Sequence, residues 1–260
     1  MGLSTQVTRT MNALYSGYFA TRIYLPLSLL SRRLRAFSRE VRGKKNRFSQ
    51  KTRLPVVSWK ECTGQRSIKI WESKKENGNV RISELGILAA LAADCVDGTS
   101  LFEIGTFDGR TTLNLALNSP PQCAVYTLDL SPELATKYAL AEGERHMVDK
   151  PEPGARYEQL RGSHPDAVAK IRQLLGDSAT FDFSPYTDTC SLVFIDGSHS
   201  YHNVVSDSFA AMKMAKSGGV VIWHDYGIWE DVTRALEELG DAGHQVKNIN
   251  GTSLGYWKKG

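Results

Sequence analysis

Apolar and polar positions follow two rhythms from about residue 80 to the end of this 260-residue chain. Short apolar runs closed by glycine or an acid are typical of buried strands. Apolar residues that recur every three or four positions are typical of helices with one buried face. The first such helix is predicted from residues at this spacing: Ile82, Leu85, Leu88 and Ala92. Ser83 is its predicted N-terminal cap.

Five buried strands are predicted downstream of this helix. They cover Leu101–Ile104, Val125–Leu128, Ile171–Leu175, Leu192–Ile195 and Val220–Trp223. Each run is four or five residues long and rich in branched or aromatic side chains, which suits strands that are buried on both faces of a sheet.

Helices are predicted to alternate with these strands. One covers Thr111–Leu117, and two more are marked by apolar faces: Val205, Phe209 and Met212, then Trp229, Val232, Leu236 and Leu239. The segment Gln245–Trp257, with Asn250-Gly251 in its middle, is typical of a hairpin. The whole pattern predicts an α/β fold with a Rossmann-like, doubly wound, mostly parallel sheet and a C-terminal antiparallel hairpin.

A glycine, an acid or a histidine comes directly after each predicted strand. The chain reads Gly105, Asp129, Gly176-Asp177, Asp196 and His224-Asp225 at these points. One acid alone is most simply a helix cap or a solvated turn. In open parallel sheets, however, ligands bind outside the carboxyl ends of the strands. Polar groups at five successive strand ends therefore predict a binding cleft.

The first of these turns runs from Glu103 to Gly109. Gly105 and Gly109 allow a tight bend and close approach of a ligand, but their spacing is not the GxGxxG pattern of dinucleotide-binding turns. This disfavours an NAD dehydrogenase and favours a ligand with an amino-acid end. Glu103 is buried by its position in a strand and needs a polar partner, either a ligand ammonium or a backbone amide.

The second and third strand ends suit a nucleoside. Asp129 lies 24 residues after Gly105, where an acid commonly accepts the two ribose hydroxyls. Asp177 and Ser178 follow the third strand, where a carboxylate and a backbone N–H could read an adenine edge. Together these positions predict an adenosine ligand with an amino-acid tail.

From about residue 65 to 260 the chain resembles the class I S-adenosylmethionine-dependent methyltransferases, and more narrowly the group called methyltransferase domain 24. The resemblance is carried by five segments in order: Phe102–Thr112, Tyr126–Asp129, Leu175–Ser178, Val193–Tyr201 and Gly218–Tyr226. It implies S-adenosylmethionine as cofactor. The turn at Gly105, with Thr106 and Phe107, would hold the methionine portion.

The same resemblance assigns the other strand ends. Asp129 would hold the ribose, and Asp177 with Ser178 the adenine. Asp196 would lie beside the methionine amine or the methyl acceptor. The resemblance implies nothing about which acceptor is used.

The fourth and fifth strand ends also resemble, loosely, metal-dependent O-methyltransferases. Asp196, His224 and Asp225 are the candidate ligands of a divalent metal, although His224-Asp225 departs from the usual acid-amide pair. A hydroxyl acceptor must lose a proton during methyl transfer, which needs a base or a metal. His199 and His224 are the candidate bases, with Asp196 or Asp225 as orienting groups. The simpler interpretation of His199 is a hydrogen bond to a nearby loop.

Charge divides the chain near residue 55. Residues 1–55 contain 12 Lys or Arg and one acid, Glu40, so their net charge is +11. Because the whole chain has a net charge of +4, the remainder carries −7. We predict a basic N-terminal extension over 1–55 and a methyltransferase domain over 56–260. The extension is compatible with a disordered leader, a targeting peptide or an amphipathic helix that contacts an anionic membrane through residues 13–53. Nucleic acid is disfavoured because the body is acidic.

The predicted function is methyl transfer from S-adenosylmethionine, most simply to an oxygen of a small molecule or a glycan. One alternative is a metal-dependent, hydroxylase-like enzyme on the same fold. Another is a non-catalytic, membrane-associated module that binds an adenosine ligand. Four dispersed cysteines indicate a reducing compartment, so a cytoplasmic protein is expected, with contact to a membrane surface as an option. The charged segment Ala141–Gly162 is interpreted as an acceptor-binding insertion or a long surface loop.

Overall fold

The computed structural model describes residues 25–42, 51–64, 67–71, 78–131, 133–145 and 152–260. Its helices are α1 (Leu25–Val41), α2 (Trp59–Cys62), α3 (Ile82–Ala93), α4 (Arg110–Asn118), α5 (Ala155–Gln159), α6 (Pro165–Ala169), α7 (Tyr201–Met214) and α8 (Glu230–Asp241). Its strands are β1 (Val56–Val57), β2 (Ile68–Lys69), β3 (Ser100–Ile104), β4 (Ala124–Asp129), β5 (Ile171–Leu175), β6 (Cys190–Ile195), β7 (Ala215–Trp223), β8 (Lys247–Ile249) and β9 (Gly255–Lys258). Among these helices, none has the length and apolar character needed to cross a bilayer.

Eight of these strands form one sheet in the order β1-β8-β9-β7-β6-β3-β4-β5. Strands β3 to β7 are mutually parallel, and β9 is antiparallel to both β7 and β8. Among the parallel strands β3 to β7, the chain runs from β3 outward to β5 and then returns to β6 on the other side of β3. Such a reversal leaves a crevice outside the carboxyl ends of the strands, where ligands bind.

The predicted fold class is confirmed. All five predicted strands are present, and the main difference is that β7 begins five residues early, at Ala215. The C-terminal hairpin is also present, with Lys247 opposite Tyr256. The sheet is covered on both faces. Leu192 and Phe194 of β6 belong to the core cluster that contains α3, whereas Val193 and Ile195 belong to the cluster with α7 and α8, as the alternation of side chains along a strand requires.

Two helical details differ from the predictions. Helix α3 is buried from Ser83 to Ala92 on every side rather than on one face, because it contacts α1, β2 and α4 as well as the sheet-side core. Its N-cap is Arg81, and the predicted cap Ser83 is buried inside the helix.

The buried face of α7 is offset from the predicted one. Phe209 is exposed, while Val204, Ser208 and Ala211 are buried. The offset is explained by β7, since the Trp223 indole N–H donates to the Ser208 hydroxyl at 2.8 Å. A buried Trp N–H needs such a partner, and this fixes the polar Ser208 on the inner face.

The residues before the predicted domain boundary contact the body of the protein. The backbone N–H groups of Arg53 and Leu54 donate to the Tyr226 hydroxyl at 3.1 and 3.0 Å. The Arg53 guanidinium pairs with Glu237 of α8 at 2.8 Å. The division into 1–55 and 56–260 stays a prediction.

Candidate active site

A cavity of about 380 Å³ lies beyond the carboxyl ends of the central strands. It collects nine of the residues that the sequence predicted for cofactor, metal or catalysis: Gly105, Phe107, Asp129, Asp177, Ser178, Asp196, His199, His224 and Asp225. The predicted residues outside its lining are Glu103 and Thr106. The predicted cleft is therefore a real concavity, of a size typical for small-ligand sites.

The turn after β3 requires glycine for steric reasons. Gly105 has a φ of +99°, and a Cβ at this position would lie 2.2 Å from the backbone oxygen of Asp196. Only glycine combines this left-handed backbone with so close an approach of two strand ends. Phe107, two residues on, is also left-handed, with a φ of 50°. Its N–H donates to Asp129 Oδ2 at 2.6 Å, which ties the turn to the end of β4.

Glu103 and Thr106 lie beneath this turn. Glu103 Oε2 accepts hydrogen bonds from the hydroxyls of Thr127, at 2.7 Å, and Thr112. Burial raises the pKa of Glu103 to about 8, although the hydrogen bonds from these two hydroxyls lower it. Its observed partners are thus neither a ligand ammonium nor a backbone amide. The Thr106 hydroxyl bonds to Thr127 at 2.7 Å, and direct contact of either residue with a cofactor stays a prediction.

The end of β5 is held by a segment that follows β4. Asp177 Oδ2 accepts from the backbone N–H of Lys137 at 2.6 Å, and its Oδ1 from Ala179 at 3.1 Å. The backbone N–H of Gly176 donates to the backbone carbonyl oxygen of Asp129 at 2.9 Å. These bonds place the two predicted nucleoside acids on neighbouring strand ends of the same cavity wall.

Two histidines and two aspartates meet at the ends of β6 and β7. His224 Nδ1 lies 2.8 Å from Asp196 Oδ1 and 3.3 Å from Asp225 Oδ1. His199 Nε2 lies 3.1 Å from Asp225 Oδ2. Asp225 thus bridges the two imidazoles. Its φ is 62°, a left-handed conformation that is uncommon outside glycine and that concentrates at functional sites.

The surrounding carboxylates favour the protonated form of both histidines. Burial lowers the pKa of His199, but hydrogen bonds to Asp225 and Glu144 outweigh it and raise the pKa to about 9. For His224, burial is likewise outweighed by Asp196 and Asp225, and the pKa lies well above its usual value. An imidazolium cannot accept a proton. The base role predicted for either residue therefore requires that its proton first be displaced.

Two glutamates complete this cluster, and sequence reasoning did not name them as site residues. Glu144 is buried, and its Oε1 accepts from His199 Nδ1 and from the His199 backbone N–H, both at 2.8 Å. Glu84 of α3 is fully buried, with Oε2 3.6 Å from His224 Nε2. The sequence could have pointed to Glu84, since it is the single charged residue in Ile82–Ala93. Glu144 lies in an irregular charged segment, where no pattern distinguishes it from its neighbours.

The cluster has an excess of negative charge. Four carboxylates, those of Glu84, Glu144, Asp196 and Asp225, contact two imidazoles. If both imidazoles are protonated, the four carboxylates still leave two negative charges. Arg81, 3.6 Å from Glu84, offsets one of them. A low-dielectric cleft with this balance favours a cationic ligand.

Three groups of the cluster are close enough to share a metal ion. Ligand atoms of Asp196, His199 and Asp225 all lie within 4.8 Å of one another. The sequence had predicted His224 beside the two aspartates. In the structure His224 does lie beside both aspartates, with its Nδ1 hydrogen-bonded to Asp196, while His199 is the histidine that shares this short range with Asp196 and Asp225. The metal ligands stay a prediction.

A buried acid beneath the cavity gives a pH-dependent prediction. Asp207 of α7 is fully buried. Burial raises the pKa of its carboxyl to about 7, although the Ser178 hydroxyl lowers it. The unfolded pKa is about 3.9, so the folded state holds this proton more tightly. Wild-type stability should therefore fall as pH rises from about 4 through 7.

The side chain in Asp207→Asn stays neutral at every pH. We expect this variant to have a higher free energy of unfolding than the wild type, and the gain should be about 2 kcal/mol larger at pH 8 than at pH 5. Urea unfolding at both pH values measures this difference. The exposed Glu133 supplies a control, since Glu133→Gln should leave the difference near zero. A pH-independent effect of Asp207→Asn would show that the buried carboxyl does not titrate in this range.

Comparisons with known proteins agree with this fold. Residues 102–226 match the family model described as a methyltransferase domain, Methyltransf_24. Among solved structures, a Corynebacterium glutamicum protein from a structural genomics programme is 16% identical, with a TM-score of 0.52 over 70% of this chain and 82% of that one. The O-methyltransferase NovP is 17% identical, with a TM-score of 0.51 over 69% and 80%.

A third solved structure is the O-methyltransferase TomG from Streptomyces achromogenes, involved in tomaymycin synthesis and solved with S-adenosylmethionine. It is 17% identical over 73% of this chain and 92% of that one, with a TM-score of 0.47. A search of curated proteins finds no significant relative. Over residues 102–226 the resemblance to a methyltransferase domain stated from the sequence is confirmed. The sheet order and the solved structures agree on the fold.

Proposed function

We propose that this protein transfers the methyl group of S-adenosylmethionine to a hydroxyl oxygen of a small-molecule acceptor. One observation carries the proposal: a single cavity joins the predicted cofactor residues Gly105, Asp129 and Asp177 to the cluster around His199 and Asp225. A methyl donor and an acceptor must meet in one such space. The name of the structural neighbour NovP, an O-methyltransferase, supports an oxygen acceptor, and a glycan hydroxyl is included in that class.

The cofactor would lie along the strand ends. The turn at Gly105 receives the methionine portion, Asp129 accepts the ribose hydroxyls, and Asp177 with Ser178 reads the adenine. Asp196 then stands where the sulfonium and the acceptor meet. The surplus negative charge of the cluster supports this placement, because both the sulfonium and the methionine ammonium are cations.

The transfer itself is an in-line displacement. The acceptor oxygen forms a bond to the methyl carbon while the carbon–sulfur bond breaks, and the sulfur leaves as a neutral thioether. Alignment of the two atoms is the main task of the protein. The acceptor hydroxyl must also give up its proton. Because the surrounding carboxylates favour the protonated state of His199 and His224, the two imidazoles orient Asp196 and Asp225. A carboxylate of this pair takes the proton from the acceptor oxygen and releases it to solvent.

The donor set fits a divalent metal. Asp196, His199 and Asp225 offer two carboxylates and one imidazole within 4.8 Å, beside further carboxylates that leave negative charge to be balanced. A mixed oxygen and nitrogen set favours a transition metal over magnesium. Such an ion would lower the pKa of an acceptor hydroxyl bound to it. His199 would then be neutral, with Glu144 holding its other nitrogen, as is common for ligating histidines.

The cofactor placement is tested by Asp129→Ala. Removal of this carboxylate takes away the ribose acceptor and the group that holds the Phe107 N–H, so we expect the affinity for S-adenosylmethionine to fall roughly 30-fold. Isothermal titration calorimetry measures the affinity, and Glu133→Ala, at an exposed carboxyl, is the matched control.

Two results would contradict the proposal in different ways. Unchanged affinity in Asp129→Ala would mean that the cofactor lies elsewhere in the protein. A wild type that binds no S-adenosylmethionine would overturn the cofactor assignment itself. The acceptor is then sought by transfer of a labelled methyl group to hydroxyl-bearing metabolites.

A further inference from the structure

Helix α1 presents an apolar stripe to the outside of the protein. Its members share one helical face at three- and four-residue spacing, and each is between 51% and 70% exposed: Leu27, Leu30, Leu34, Phe37 and Val41. In the part of the chain that the structure describes, ten large apolar residues are exposed, and this single helix holds five of them. Contiguous exposed patches of this kind mark interaction sites, whereas scattered single residues do not.

The helix is already seated on the methyltransferase domain by another face. Leu29 is buried and belongs to the core cluster that contains α3, and α1 contacts α3. The stripe is therefore not the face that joins α1 to the body. Among the described residues no element covers it, so it is available to a partner from outside these contacts.

The charge of the surrounding sequence restricts what that partner can be. Helix α1 contains four arginines, Arg32, Arg33, Arg35 and Arg39, against one acid, Glu40. The whole of residues 1–55 has 12 basic residues and that one acid, while the remainder of the chain is net acidic. Positive charge is thus concentrated on and around the element that carries the apolar stripe.

We propose that α1 docks on an anionic lipid bilayer. The stripe would enter the boundary between headgroups and acyl chains while the helix lies flat, and the basic residues of the segment would be attracted to lipid phosphates. A helix with a large apolar face, low overall hydrophobicity and many arginines has this behaviour. The inference is independent of the acceptor and of the chemistry proposed for the cavity.

A second copy of the chain is the competing partner, because residues 27, 30, 34, 37 and 41 also follow coiled-coil spacing. In a parallel pairing of this kind the flanking positions 31 and 38 are serines, so the complementary charge pairs that specify coiled coils cannot form within the helix. Two such helices would also bring together net positive charges, three on each. An acidic bilayer relieves this repulsion, whereas a second copy adds to it.

The test is flotation of the full chain with lipid vesicles. We expect roughly tenfold more protein bound to vesicles of equimolar phosphatidylcholine and phosphatidylserine than to phosphatidylcholine alone, and less in high salt. The double variant Leu34→Gln/Phe37→Gln should lose about tenfold of this binding. The matched control is Val96→Gln/Phe209→Gln, which changes two exposed apolar residues elsewhere and should bind like the wild type.

Calorimetry with S-adenosylmethionine shows that each variant is folded, since neither pair of residues lines the cavity. Equal vesicle binding by the stripe variant would overturn the proposal, as would binding that ignores phosphatidylserine or no binding at all. Sedimentation that shows a dimer in the wild type and a monomer in the stripe variant, without vesicle binding, would assign the stripe to a second copy of the chain instead.

Discussion

Gly105→Ala is expected to abolish measurable binding of S-adenosylmethionine and to lower the free energy of unfolding by about 3 kcal/mol. The new Cβ would lie 2.2 Å from the backbone oxygen of Asp196 and 2.8 Å from the backbone nitrogen of Gly197. Neither atom belongs to a flexible side chain, so β3 and β6 must move apart at their carboxyl ends. The turn, Asp196 and the cluster beside it would all be displaced together.

A second glycine separates this clash from simple backbone strain. Gly243, after α8, has a φ of +96°, nearly that of Gly105, but a Cβ there would meet no atom within 4 Å. Gly243→Ala should therefore cost only about 1 kcal/mol and leave cofactor affinity unchanged. Chemical unfolding and calorimetry on both variants measure the two effects. Similar losses in both variants would show that the contact between the strand ends is not what the site depends on.

Asp225→Asn is expected to reduce methyl transfer by about 100-fold or more while leaving the affinity for S-adenosylmethionine within about threefold. Asp225 contacts both imidazoles, and the substitution keeps its size but removes its charge. The orientation of His199 and His224 would loosen, and the candidate metal site would lose a charged ligand. Transfer of labelled methyl to an identified acceptor measures the effect as kcat, separately from KM.

The control for this substitution is Asp166→Asn, which changes an exposed aspartate on α6 and should leave turnover unchanged. Dialysis of the wild type against a chelator tests the metal independently, with loss of turnover and its return on addition of Mn²⁺ as the expected result. Unchanged turnover in Asp225→Asn would mean that the acceptor is not activated at this cluster. Lost turnover that no chelator reproduces would assign Asp225 a role without metal.

Much of the site could be predicted because its signals are local. Each acid predicted to bind the nucleoside lies at the end of its own strand: Asp129 is the last residue of β4, and Asp177 lies two residues after β5. Parallel strands bring such ends to one edge of a sheet whatever lies between them. The alternation of strands and helices depends on neighbouring residues in the same way, so the fold class was predictable as well.

The predictions that were wrong depended on neighbours distant in the chain. Ser83 has the chemistry of a helix cap, but contacts with α1, β2 and α4 place it in the interior. Phe209 fits a helical apolar period, yet the Trp223 indole selects Ser208 for the inner face of α7. Local spacing describes a helix alone and carries no information about which elements will surround it.

The sequence by itself determined the fold class of this protein and the position of its candidate site. It did so through the strands of the sheet, the glycine turn at Gly105 and the acids at the ends of the strands. Tertiary structure decided the chemistry of the cluster. Glu144 reaches His199 across 55 positions of sequence, and Glu84 approaches His224 from α3. The carboxylates outweigh burial and raise the pKa of both histidines, and folding gathers His199 and His224 around Asp225. Protonation depends on the surrounding charges and on the loss of water, and these exist only once the chain has folded.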